Sequence, residues 1–181
     1  MQGIAQQGPG GPEIWVRGPV DDAGPRPEAA QGVAAPRRFS WVATHGGAGT
    51  STLATVFGGF DAGRGWPLPD RSEPASVLLV ARTHDAGLRA VLHSLDIFRR
   101  GDAPPGLDLD AIVLVADAPG RLPRQLAQRI KVIESMIDVY RVPWVPAWRI
   151  GDLAGQPPRE CEQLARLTGV FTPSGGWRGQ R

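Results

Sequence analysis

The chain has 181 residues, 41% of them hydrophobic, with 20 Lys and Arg against 18 Asp and Glu for a formal net charge of +2. That length predicts one domain with tails, and so small a net charge is a weak signal for nucleic acid. The single cysteine, Cys161, excludes an intramolecular disulfide, and no apolar run reaches membrane-spanning length.

Residues 1–38 are rich in Gly, Pro, Ala and Gln, a composition that buries too little apolar surface to fold alone, and they are expected to form a disordered tail. Within them Ile14-Trp15-Val16 is a bulky apolar patch. It either docks on the domain as an extra extended strand or binds a partner, and docking is the plainer reading. The domain is expected over residues 39–170, with a flexible tail over 171–181.

Residues 39–44 read as a first strand. His45-Gly46-Gly47-Ala48-Gly49 is then a glycine loop, and residues 50–57 form a short helix with Leu53, Val56 and Phe57 at helical spacing, stopped by Gly58-Gly59. Glycines let consecutive amides turn toward one anion at a helix N-terminus. A phosphate-binding loop normally ends in Gly-Lys-Ser/Thr, which supplies a cation for the phosphates. Here Thr50 stands at the lysine position, and Lys131 is the chain's one lysine. The cradle would consist of the amides of Gly47, Gly49, Thr50 and Ser51, with Ser51 where a Mg²⁺-binding hydroxyl stands. The alternative is a strand-to-helix turn with no ligand.

Residues 60–75, with two glycines and three prolines, read as a structured loop in which Trp66-Pro67 packs on the core as a lid. Residues 76–81 form a nearly continuous apolar run, as expected of a strand covered on both faces. A helix follows, with Thr83 or Asp85 as N-cap, Leu88, Val91, Leu92, Leu95 and Phe98 on one stripe, and Arg99-Arg100-Gly101 at its end. Arg82 and Asp85 are expected to make a surface pair and a cap.

Residues 109–116 are the third buried strand, ending in Asp117-Ala118-Pro119-Gly120. Asp117 lies at the strand end where open α/β sheets put ligands, and can hold Mg²⁺ through water or cap a turn. The turn is favoured. The periodicity predicts a long helix over 123–140, with Leu126, Ile130, Ile133, Ile137 and Tyr140 on its buried stripe. Residues 142–148, broken by Pro143 and Pro146, read as an edge strand, and 158–168 as a last amphipathic helix with Cys161, Leu164 and Leu167 inward.

Alternating strands and helices predict a small α/β three-layer sandwich with a mostly parallel, four-stranded sheet. His84 and His93 are nine apart and Cys161 is remote, so no metal-ligand spacing exists. Trp144 and Trp148 beside Arg141 and Arg149 can stack bases, although rim packing explains them more simply. Residues 121–181 carry a net +5, the one segment to favour an acidic partner such as nucleic acid. The lone cysteine and the lack of a leader-like N-terminus predict an intracellular, cytoplasmic protein with no membrane segment.

Thr44–Thr52 resembles the deviant P-loop of the ParA/MinD group of ATPases, in which one lysine precedes the glycines and another precedes the Ser/Thr pair. Those positions here are His45 and Thr50. The group's aspartate after the second strand has no evident counterpart, because Val77–Val80 runs into Ala81-Arg82. Asp117-Ala118-Pro119-Gly120 resembles the group's Asp-x-Pro-x-Gly switch. More broadly, Trp41–Arg149 is similar to an uncharacterised family of high-G+C bacteria with a degenerate P-loop. The similarity rests on His45-Gly46-Gly47-Ala48-Gly49-x-Ser51-Thr52-Leu53, Phe57-Gly58-Gly59, Gly63-Arg64-x-Trp66-Pro67, Ala116-Asp117-Ala118-Pro119-Gly120-Arg121-Leu122-Pro123 and Val142-Pro143-Trp144-Val145-Pro146. These resemblances imply a P-loop NTPase-like fold. The site they imply is His45, Gly46, Gly47, Ala48, Gly49, Thr50, Ser51, Thr52 and Asp117, and the ligand ATP or another nucleotide with Mg²⁺. With both lysines absent, they imply a nucleotide-sensing or scaffolding adaptor for a protein partner that does not hydrolyse its ligand. The alternatives are a slow ATPase completed by a partner's cation, with His45 or Arg82 as internal substitutes, and a nucleic-acid-binding module.

Overall fold

A computed structural model of the chain describes residues 37–172 and 176–177, with side chains as far as residue 170. The Trp15 patch and most of the expected N-terminal tail lie outside the described residues. Five parallel strands make the main sheet: β1 (Ser40–Ala43), β2 (Phe60–Asp61), β3 (Ser76–Arg82), β4 (Asp108–Val115) and β5 (Val139–Val142), in the spatial order 2-1-3-4-5. The chain is thus α/β with an all-parallel central sheet flanked by helices.

Connections on the two faces create the three layers. Helix α1 (Thr50–Phe57) joins β1 to β2, whereas α2 (Asp85–Arg100) and α3 (Arg124–Glu134) join β3 to β4 and β4 to β5. On one face Leu53 and Phe57 of α1 pack with Trp41, Leu78, Val80 and Val113, together with Cys161 and Leu164 from α5 (Glu162–Leu167) and the 3₁₀ turn before it. On the other, Leu88, Val91 and Leu95 of α2 and Ile130 and Ile133 of α3 cover Val77, Leu79, Ile112 and Leu114. The near-continuous apolar runs of β3 and β4 follow directly from this double coverage.

Trp41 anchors the first face. It is fully buried, lies edge-on to Phe39 at 5.2 Å, and donates its indole N–H to the Gly58 carbonyl at 2.6 Å. The polar handle of a buried indole is thereby satisfied. Cys161 is also buried, and burial pushes its thiol up to about 12, with Glu160 adding to the shift.

Several expectations need correction. Residues 60–61, expected within a loop, form β2, which pairs Phe60 with Ser40 and Asp61 with Trp41. The sheet therefore has five strands rather than four. The predicted helix over 123–140 stops at Glu134, and Tyr140 belongs to β5, paired with Val113. The expected edge strand over 142–148 is the end of β5 followed by a single helical turn, α4 (Pro146–Arg149). Proline fits the first turn of a helix, where its missing N–H costs nothing. Trp66 does pack on the core, edge-on to Phe98 at 5.2 Å. After α5, β6 (Phe171–Thr172) pairs antiparallel with β7 (Gly176–Trp177), inside the stretch expected to be a flexible tail. Arg37, assigned to the N-terminal tail, forms an ion pair with Asp110 at 2.6 Å.

Sheet growth reverses between β1 and β3. From β1 the chain moves outward to β2, then returns past β1 and proceeds through β3, β4 and β5. In doubly wound sheets such a reversal opens a crevice at the carboxyl ends of the two strands. The glycine loop after β1 and Arg82 at the end of β3 both lie at that position.

Candidate functional site

The loop after β1 is pinned at its root and open at its tip. Thr44 donates both its amide and its hydroxyl to the Val80 carbonyl, at 3.0 and 3.1 Å. Beyond it Gly47 has φ +74°, and Gly49, the N-cap of α1, has φ +107°. L-residues with a Cβ rarely adopt that region, so glycine at 49 lets the loop enter the helix abruptly. No side chain caps α1 and no carboxylate lies in its first turn. The carboxylate near that positive end comes from outside the helix, from Asp61, and is bound by the Ser51 and Thr50 side chains.

The predicted residues divide into three groups. Ala48 and Thr50 are buried and hold the loop against the core. Gly46, Gly47, Gly49 and Thr52 make the surface of the turn. Ser51 faces elsewhere, donating its hydroxyl to Asp61 Oδ2 at 2.6 Å. Asp61 also accepts from the Gly63 amide at 3.0 Å. Burial alone would raise the Asp61 carboxyl, but the donors from Ser51, Gly63 and Thr50 together hold it below the ordinary carboxylate range. Asp61 closes β2, a stretch expected within a loop. A two-residue strand has no periodicity to reveal it.

His45 does not act as a substitute cation. Its Nε2 accepts the Arg82 backbone N–H at 3.0 Å, which places the ring proton on Nδ1, 2.9 Å from the Gly46 carbonyl. The ring lies 4.9 Å from that of His84. His84, rather than Thr83 or Asp85, caps α2, its Nδ1 accepting the Gly87 amide at 2.9 Å. A Cβ on Gly87 would lie 2.3 Å from the Arg82 carbonyl oxygen and 3.0 Å from His45 Nε2. Glycine at 87 is what allows α2 to approach the loop so closely. Asp85 instead binds Arg129 of α3 and Arg89 of its own helix. The Arg129 hydrogen bond is the main cause of its lowered carboxyl.

The cation over the loop is Arg82. Rather than pairing on the surface, it donates Nε–H to the Gly47 carbonyl at 2.8 Å and directs Nη1 to the Ala116 carbonyl at 3.4 Å. Burial presses the guanidinium below the usual arginine range, the nearby Arg149 charge presses the same way, and Asp117 opposes them. Arg149, at the end of α4, stacks over Trp144 with 4.2 Å from its guanidinium carbon to the ring centroid. It also approaches the Asp117 carbonyl at 3.4 Å. Asp117 is exposed, and its backbone amide donates to Thr83 Oγ1 at 3.2 Å. Trp148, by contrast, packs edge-on to Phe57 in the core.

These groups line a cleft of about 190 Å³, bounded by Gly49, Thr52, Arg82, Trp144 and Arg149. Two like charges are held together at its wall, beside the uncapped start of α1. Asp117 offsets part of the repulsion between them, and two guanidinium groups beside a helix start are chemically suited to an anion. A larger cavity of about 660 Å³ adjoins it, sharing Ala116 and Pro143 as walls. Among the described residues no group of three or more His, Cys, Asp or Glu side chains is placed to hold a metal ion, and no helix is long and apolar enough to cross a membrane.

Arg82 was visible in sequence as a cation at a strand end. Arg149 was noted in sequence only as a neighbour of Trp144 and Trp148, because only the fold of 142–149 back over the sheet edge brings it to the loop. No protein-family model matches the chain, and no curated protein is significantly similar to it.

Proposed function

We propose that this domain binds the phosphates of a nucleotide at the glycine loop and acts as a non-hydrolysing, nucleotide-sensing adaptor. In this reading it is a degenerate relative of the ParA/MinD-type P-loop proteins. The observation that carries it is Arg82 lying across the loop, with Arg149 beside it. The charge usually delivered by a lysine inside the loop is delivered here from the next strand of the sheet and from α4. Guanidinium groups recognise phosphate by paired N–H donors, which gives affinity and orientation.

Turnover asks for more than affinity. The Ser51 hydroxyl, which would meet a nucleotide's Mg²⁺, is bonded to Asp61. Arg82 is tethered to two backbone carbonyls rather than free to follow charge developing in a transition state. Binding without hydrolysis follows. A protein partner that reads the occupied state would then sense the rim formed by the 117–120 segment and α4, which touch both arginines.

The test is calorimetric titration of the full chain with ATP, ADP and GTP, each with Mg²⁺, alongside Arg82→Ala and Gly49→Arg. Charged hydrogen bonds of this kind contribute about 1.5–3 kcal/mol. Arg82→Ala should therefore weaken binding by roughly ten- to a hundredfold, and Gly49→Arg should abolish it. Absence of heat and of thermal stabilisation with every nucleotide sinks the reading. Steady phosphate release by the wild-type protein alone would replace the sensor with an enzyme.

A further inference from the structure

The larger cavity beside the arginine cleft has no role in phosphate binding as described, and its chemistry differs from that of the cleft. Its floor is apolar, made by Leu114, Leu126, Ile130 and Val139 between β4, β5 and α3. Its rim is polar and mixed in charge, with the exposed carboxylates of Asp117 and Glu160 beside the exposed guanidinium groups of Arg121 and Arg141. Neither carboxylate accepts a hydrogen bond among the described residues. At about 660 Å³ the cavity lies within the range that encloses an organic ligand. Ala116 and Pro143 form walls of both spaces, so one molecule can reach from one to the other.

We propose that this cavity receives the nucleoside half of the bound nucleotide, with the base on the apolar floor and its N–H edge toward Asp117 and Glu160. The inference rests on the phosphate reading of the cleft. Two features select a nucleoside over a hydrocarbon chain. A purely apolar body would match the floor but offer no donors to the rim carboxylates and no acceptors to the Arg121 and Arg141 guanidinium groups. Ring N–H groups and ribose hydroxyls supply those donors, while the flat ring covers the aliphatic floor. Discrimination between nucleotides then arises on the β4–α3 side of the sheet, away from α1. It is separable from the charge recognition at the loop.

The experiment compares pyrophosphate with ADP and GDP, by calorimetry on the full chain, for the wild type and for Leu126→Trp. Leu126 is half-buried on the cavity wall, so a bulkier side chain there fills the space with little disturbance of the sheet. Leu122→Trp, on the same wall and also half-buried, serves if the first variant melts early. The wild type should bind one of the nucleoside diphosphates at least tenfold more tightly than pyrophosphate. Filling the cavity should remove that preference and leave the pyrophosphate affinity within threefold. Equal affinities for pyrophosphate and both nucleoside diphosphates in the wild type would overturn the assignment while the phosphate cleft stands. A preference that survives in both Trp variants would overturn it too. If neither pyrophosphate nor any nucleotide binds, the cleft reading fails first, and the cavity assignment falls with it.

Discussion

Two strand-to-helix turns stand side by side at the carboxyl edge of the sheet, and they are built on opposite plans. The β3–α2 turn is closed by its own residues. His84 caps the helix, Asp85 lies in its first turn and bonds Arg129, and Gly87 is pressed against the Arg82 carbonyl. The β1–α1 turn has no side-chain cap: the carboxylate near it, Asp61 of β2, is bound by the Ser51 and Thr50 side chains instead, and a Cβ on Gly46 would meet nothing within 4 Å. A helix start that supplies its own acceptor has no use for an external anion, whereas one that lacks it is stabilised by one. The closed turn acts as the rigid wall that sets Arg82 over the open turn.

The largest expected effect breaks the wall. Gly87→Ala places a Cβ 2.3 Å from a backbone oxygen and should cost about 3 kcal/mol, as overpacking of a tight contact does. Gly46→Ala, its counterpart on the open turn, should stay within about 0.5 kcal/mol. Urea unfolding of the two variants measures the difference, and equal losses would mean that the two turns are equally tight.

A smaller effect removes the cap. His84→Ala should destabilise by about 1 kcal/mol, and His84→Asn, with a good capping side chain, should recover most of that. Thermal unfolding that fails to distinguish Ala from Asn would show that the ring contributes by packing on His45 rather than by capping.

The smallest concerns the carboxylate behind the open turn. The Asp61 carboxyl is held below its ordinary value in the folded chain. Its contribution is therefore complete above the ordinary carboxylate range and is lost as pH falls through the lowered folded value. Melting temperatures from neutral pH into the acid range should fall less steeply for Asp61→Asn than for the wild type. Parallel curves would show that Ser51 and Gly63 bind the side chain without regard to its charge.

The sequence revealed most clearly what depends on burial. Strands β3 and β4 are apolar because both faces are covered, and α2 carries a stripe because only one side is. The α3–β5 boundary was hidden because Ile137 and Tyr140 continue the helical stripe in phase past Glu134, and no glycine or proline interrupts it before the strand begins. Strand β2 escaped because it consists of one exposed and one acidic residue, an edge strand whose partner in the sheet is β1. The loop itself was legible from its glycines. Arg82 was legible as a cation at a strand end, but its pairing with Arg149 was not, since the two are separated in sequence and meet only when β3 lies beside β1 and α4 folds over the edge.

Cys161 gives the molecule a built-in clock. Its thiol lies in the core under the sheet and is pushed up to about 12, and the thiolate is the reactive form. In the native fold it should therefore ignore alkylating reagents at neutral pH. Any labelling records the moments when the segment leading into α5 lifts from β5. Because this is the chain's one cysteine, the reading needs no background correction. A second cysteine introduced on α4 would report the arginine cleft without interference from the first.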